Sequence, residues 1–92
     1  MNENTTTLPV RDEIESDIIQ QVRNEVQETL LQNAPKSWPD ERCEAVEEDV
    51  LNRTRLVLAA LSNSEIQSAG ALQAHIVQAI AETKRIIRMG GV

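Results

Sequence analysis

Aromatic residues are nearly absent from this sequence. It contains no Phe and no Tyr, and Trp38 is its only aromatic residue. Proteins that read single-stranded nucleic acids stack the bases on aromatic side chains, so that mode of recognition is excluded. The same absence means that a hydrophobic core has to be built from aliphatic side chains.

Cysteine and histidine are equally scarce, with Cys43 and His75 as their only representatives. A single cysteine cannot form an intrachain disulfide or a structural zinc site. A di-iron carboxylate bundle needs Glu-x-x-His motifs on its helices, and Leu72 stands three residues before His75. We therefore expect no metal and no other cofactor, and we expect Cys43 to lie in the core as a small apolar side chain.

Motifs of catalysis and of membrane insertion are also missing. The three glycines are scattered and form no phosphate-binding loop, and there is no Gly-x-Ser-x-Gly sequence. No apolar run reaches the ~18 residues of a membrane-spanning helix. Residues 1–7 lack the basic and apolar segments of a secretory signal. We expect a cytoplasmic protein that is not an enzyme and makes no membrane contact.

The sequence is acidic, with a net charge of −6 that is divided unevenly. Residues 1–50 contain 13 acidic and 4 basic residues, a net charge of −9, whereas residues 51–92 contain 2 acidic and 5 basic residues, a net charge of +3. A negative surface disfavours DNA and anionic membranes as partners. The basic residues around Arg53 and around Arg85 are expected to lie far apart, so we do not expect direct nucleic-acid binding.

Hydrophobic periodicity predicts three helices of similar length, over about residues 9–33, 38–61 and 65–89. The second and third helices have apolar residues spaced by three and four, which is typical of an antiparallel hairpin. In the first helix the apolar residues recur every four positions, so its stripe rotates by about 40° per step and favours an oblique crossing. We predict an all-α three-helix antiparallel bundle, with residues 1–7 as a disordered tail and residues 8–92 as a single helical domain.

A dense run of acidic residues opens the second helix. Several of them are like-charge neighbours four residues apart, which repel each other on a helix. This run has three readings: a solvated surface, a face that binds a basic partner, and a cation-binding site, which the absence of EF-hand loop spacing disfavours. The candidate partner-binding residues are Asp40, Glu41, Glu44, Glu47 and Glu48.

A second apolar surface is predicted at the end of the second helix and on the third helix. The sequence LVLAAL, residues 56–61, is apolar nearly all round, and small residues follow one face of the third helix. We expect the third helix to be central, with one side at a homodimer interface. The candidate interface residues are Leu56, Leu58, Gly70, Ala74, Val77 and Ala81.

These features favour a small acidic helical module for protein–protein interaction, such as an adaptor, a chaperone or an assembly subunit. Two alternatives stay open. One is an acidic inhibitor of a nucleic-acid-processing complex, of the kind that phages use against host defence. The other is a nucleic-acid-associated regulator that uses the basic end of the third helix.

Overall fold

The computed structural model describes residues 11–91, and this part of the chain forms four helices without a β-strand: α1 (Arg11–Asn33), α2 (Asp40–Ala60), α3 (Asn63–Ile66) and α4 (Ala71–Arg88). The long helices α1, α2 and α4 pack against one another, and the single-turn α3 packs against α1. The predicted all-α three-helix bundle is therefore confirmed. The predicted tail, residues 1–7, lies outside the described residues, as do both ends of the predicted domain 8–92.

The core is aliphatic. Every fourth residue of α1 from Ile18 to Leu30 is buried, so the predicted spacing of this stripe is confirmed. Three threonines, Thr29, Thr54 and Thr83, are buried in the core. Each hydroxyl group donates to the carbonyl oxygen four residues earlier, so these three hydroxyl hydrogens all have an acceptor. The core residues are Ile18, Val22, Val26, Leu30, Val46, Val50, Leu51, Leu58, Ile66, Ala79 and Ile86.

The first helix packs against both other long helices, and a central third helix with one side at a homodimer interface stays a prediction. α1 contacts each of the other three helices. At its start, the Arg11 guanidinium donates to the Leu58 carbonyl oxygen at 2.6 Å and to Asn63 Oδ1 at 2.8 Å. Farther along, Arg23 Nη1 lies 2.9 Å from Glu47 Oε2 of α2. These contacts tie α1 to α2 at two levels of the bundle.

The predicted helix over residues 65–89 is interrupted. α3 begins with a capping box, in which Glu65 N donates to Ser62 Oγ at 3.1 Å and Ser62 N donates to Glu65 Oε1 at 2.7 Å. It ends after one turn, and α4 starts only after Gly70, whose φ of +84° is left-handed. Glycine adopts this conformation without steric cost. The break lets Ile66 enter the core while the chain turns into α4.

The end of α4 returns the chain to the start of α2. Gly90 has a φ of +94°, and Gly91 N donates to the Ile86 carbonyl oxygen at 3.0 Å, which is the Schellman arrangement that glycine favours after a helix. Gly91 then lies against Trp38 and Arg42, where a Cβ atom would be 3.3 Å from Arg42 Cδ. The α2 helix itself starts at Asp40, two residues later than predicted, with Pro39 as its N-cap.

Candidate functional site

A groove runs between the C-terminal end of α1 and the N-terminal end of α2, and it has a volume of about 550 Å³. We call it the α1–α2 groove. One wall comes from α1 and the residue after it, the other wall comes from α2, and the connection between the helices closes one end. The lining residues are Gln27, Leu30, Leu31 and Ala34, then Pro35, Lys36 and Trp38, then Asp40, Cys43, Glu44 and Glu47.

Apolar side chains give the groove its surface. Leu31 is 83% exposed, more than any other large exposed apolar residue in the described chain. Trp38 and Cys43 are partly buried and pack against the core from within the groove. Cys43 is therefore not enclosed in the core as predicted, because its side of α2 faces the gap beside α1. Tryptophan is among the residues that most often anchor a protein partner, and Leu31 adds exposed apolar surface in the same groove.

The orientation of Trp38 is set by its neighbours. The Arg42 guanidinium carbon lies 5.4 Å from the centroid of the indole ring, within the range of a cation–π contact. Gly91 lies against the side chains of Trp38 and Arg42, and a Cβ atom added at Gly91 would be 3.6 Å from Cη2 of the indole ring. Trp38 is thus held in place by α2 and by the turn after α4, and it does not depend on a ligand for its position.

The acidic wall of the groove contains three of the five residues of the predicted acidic face: Asp40, Glu44 and Glu47. Glu47 is engaged within the chain, because it accepts hydrogen bonds from Arg23 at 2.9 Å and from Gln27 at 3.2 Å. Asp40 and Glu44 are exposed, and within residues 11–91 no basic nitrogen lies within 4 Å of either carboxylate. Two carboxylates therefore line the groove without a salt-bridge partner in residues 11–91.

The other two acidic residues lie elsewhere. Glu48 is 3.9 Å from Arg23 and 4.0 Å from Arg55, so it belongs to a loose surface network. Glu41 is exposed in the first turn of α2 and does not line the groove. The spacing of these acids along α2 predicts that they share a helix, whereas the position of α1 decides which of them border a groove.

The predicted homodimer interface needs two corrections, at Leu58 and at Gly70. Leu58 is only 1% exposed and lies in the core of its own chain, so it cannot belong to an interface. Gly70 is exposed but precedes α4 and is not part of its surface. The other residues predicted for this interface remain on the outer surface of α2 and α4, with Leu56 73% exposed and Val77 56% exposed. The outer surface of α2 and α4 has five exposed residues that are small or apolar: Leu56, Val57, Ala74, Val77 and Ala81.

A cleft between α2 and α4 brings basic residues closer together than expected. Arg53 Nη1 lies 3.8 Å and Arg85 Nη2 lies 2.6 Å from the same oxygen, Glu82 Oε1. The expected wide separation of these two arginines is wrong, because the antiparallel helices place residue 53 opposite residue 82. The hydrogen bond and the charge of Glu82 raise the pKa of the Arg85 guanidinium. Asp49, 2.9 Å from Arg53, adds a second carboxylate to this cluster.

No group of three or more Cys, His, Asp or Glu side chains in residues 11–91 could hold a metal ion. His75 borders the α2–α4 cleft beside Val57 and Gln78. None of the helices in this range has both the length and the apolar character needed to cross a membrane. Family models, curated proteins and solved structures give no match to the chain.

Proposed function

We propose that this protein is a non-catalytic helical module that binds another protein through the α1–α2 groove. The observation that carries the proposal is the combination, in one groove, of an 83% exposed Leu31, of Trp38, and of two carboxylates, Asp40 and Glu44, that have no salt-bridge partner in residues 11–91. Each of these features is common by itself. Together they provide apolar anchors and a charged rim, which is the usual composition of a protein-binding surface.

The energetics favour a partner at this position. Full burial of a leucine side chain contributes roughly 1.5–3 kcal/mol, and Leu31 gains almost none of this within its own chain because it is so exposed. Trp38 is already held by Arg42 and Gly91, so binding orders it at little additional entropic cost. Carboxylates at the rim contribute more to the association rate and to partner choice than to affinity.

The proposal can be tested by comparing two variants of exposed apolar residues in affinity purification from the native cell. Leu31→Asp changes the groove, and Met89→Asp is a matched control because Met89 is also an exposed apolar residue, 69% exposed, and does not line the groove. We expect to find proteins that both wild type and Met89→Asp retain and that Leu31→Asp loses. If Leu31→Asp retains the same proteins at the same level, the groove is not the binding surface.

We also infer that the chain self-associates through the outer surface of α2 and α4. Leu56, Val57 and Val77 are 73%, 48% and 56% exposed there, which favours burial against a second copy. Light scattering coupled to size exclusion should then give twice 10.3 kDa for wild type and for Leu31→Asp. Leu56→Asp should be monomeric. A wild-type monomer at micromolar concentration would contradict this second proposal.

A further inference from the structure

The α1–α2 pair has two sides on which a third helix can pack, and only one is occupied in the described chain. On the first side, α4 lies against both helices and completes the core. On the second side lies the α1–α2 groove, where Leu31 and the partly buried Trp38 and Cys43 face an open volume of about 550 Å³. A helix on this side would turn the three-helix bundle locally into a four-helix bundle.

We infer that the occupant of the α1–α2 groove is a short amphipathic α-helix of a partner protein, with an apolar stripe and with Lys or Arg along one flank. This inference rests on the proposed function and specifies the chemistry of the partner. The bound segment is a helix with one apolar stripe, and its basic residues lie along one flank of that stripe.

The spacing of the lining residues favours a helical occupant. Gln27, Leu31 and Ala34 on one wall, and Asp40, Cys43, Glu44 and Glu47 on the other, follow steps of three and four residues. Each wall is therefore one face of a helix about two turns, or ~10 Å, long. Side-chain ridges of a further helix fit into a channel between two such faces.

Two other modes of peptide recognition fit less well. An added β-strand needs a sheet edge with unpaired backbone groups, and the part of the chain that the structure describes contains no strand. A proline-rich segment binds between several aromatic side chains, and Trp38 is the only aromatic residue in the sequence. A helix needs neither of these features from its receptor.

Charge specifies the flank of the occupant. Asp40 and Glu44 lie on the α2 wall and have no counter-charge within 4 Å in residues 11–91, so basic side chains of the occupant belong on that side. The apolar stripe then faces Leu31, Ala34 and Trp38. Lys36 at the closed end disfavours a basic residue at that position.

The test uses a displayed library of random-sequence peptides about 14 residues long, which is roughly four turns if the peptide is helical, selected on the full chain. Selection is repeated on a double variant, Asp40→Lys with Glu44→Lys, to remove peptides that ignore the acidic wall. We expect enriched sequences with apolar residues at steps of three and four and with Lys or Arg on one flank. A synthetic peptide of this kind should gain helical circular dichroism on binding, and its affinity should fall about tenfold or more for the double variant.

Glu41→Lys is the matched control, because Glu41 is exposed on the same turn of α2 but does not line the groove. It should leave the peptide affinity within about twofold, while Leu31→Asp should abolish binding. The circular dichroism of each variant is compared with that of wild type to show that the bundle is intact.

Three results would overturn the inference. Enriched peptides that bind in an extended or proline-rich form, or that bind the double variant equally well, would refute the helical basic occupant but leave the groove as a docking surface. Failure to enrich any peptide sensitive to Leu31→Asp would contradict both the inference and the proposed function. Self-association of wild type that Leu31→Asp removes would show that a second copy of the chain fills the groove.

Discussion

Leu30 and Leu31 are adjacent in the sequence, and we predict that their truncation has very different consequences. Leu30 is 6% exposed and belongs to the core, whereas Leu31 is 83% exposed in the α1–α2 groove. Leu30→Ala should therefore destabilise the fold strongly. Leu31→Ala should leave stability nearly unchanged and should weaken partner binding.

The magnitude follows from what each side chain contacts. Leu30→Ala removes a buried side chain from a core that also contains Val26 and Val46, and the surrounding side chains can only partly fill the cavity. Substitutions of this kind cost about 2–5 kcal/mol. Leu31→Ala removes few contacts, and alanine is the better helix former, so its effect should be within about 0.5 kcal/mol.

Urea unfolding followed by far-ultraviolet circular dichroism can distinguish the two variants. With a slope of about 1 kcal/mol per molar, the midpoint should fall by about 2 M or more for Leu30→Ala and by less than about 0.5 M for Leu31→Ala. Leu30→Met is a useful third variant, because it conserves volume and should cost under about 1.5 kcal/mol even if Leu30→Ala fails to fold. Equal midpoints for the two alanine variants would refute the assignment of one leucine to the core and the other to the groove.

Three further predictions concern the connections between the helices and an ion pair that joins two of them. Gly70→Ala should lower the free energy of unfolding by about 1–2 kcal/mol, because alanine is strained at a φ of +84°. No atom lies within 4 Å of the new Cβ, so no steric clash adds to this cost, and an unchanged melting temperature would contradict the prediction. The hydrogen bonds from the Ser62 backbone and side chain lower the pKa of Glu65, so the stabilisation is present above the ordinary value of 4.5 and is lost as pH falls through the lowered pKa. The stability difference between wild type and Glu65→Ala should therefore shrink on acidification, and a difference independent of pH would argue against the capping box. A double-mutant cycle on Arg23 and Glu47, 2.9 Å apart and partly exposed, should give a coupling of about 0.5–1 kcal/mol in unfolding experiments, and zero coupling would show that this pair does not tie α1 to α2.

Much of the fold could be predicted because helical periodicity is a local property. The repeat of apolar residues every four positions in α1 assigned Ile18, Val22, Val26 and Leu30 to one face, and all four are buried. The acidic run at the start of α2 was likewise identifiable from residue types alone. A helix imposes its own geometry on the residues that form it, so no distant contact is needed for these assignments.

Other features depended on contacts between distant parts of the chain. The run LVLAAL is apolar nearly all round, and the packing of the other helices decides that Leu58 is 1% exposed and buried in its own chain while Leu56 is 73% exposed. The interruption at Gly70 was missed because helix propensity continues through the region, and burial of Ile66 decides where the chain bends. Gly70 itself was the available signal, since an isolated glycine in a helical pattern often marks a break.

The sequence by itself determined the helices, their apolar faces and the acidic character of the α2 N-terminus. The tertiary structure alone decided which helices pack against α1, that Glu47 is engaged by Arg23 while Asp40 and Glu44 line an open groove, and that Leu31 stays 83% exposed beside that groove. The physical reason is that periodicity gives each residue an angle on its own helix. Exposure and pairing depend on which neighbouring helix covers that angle.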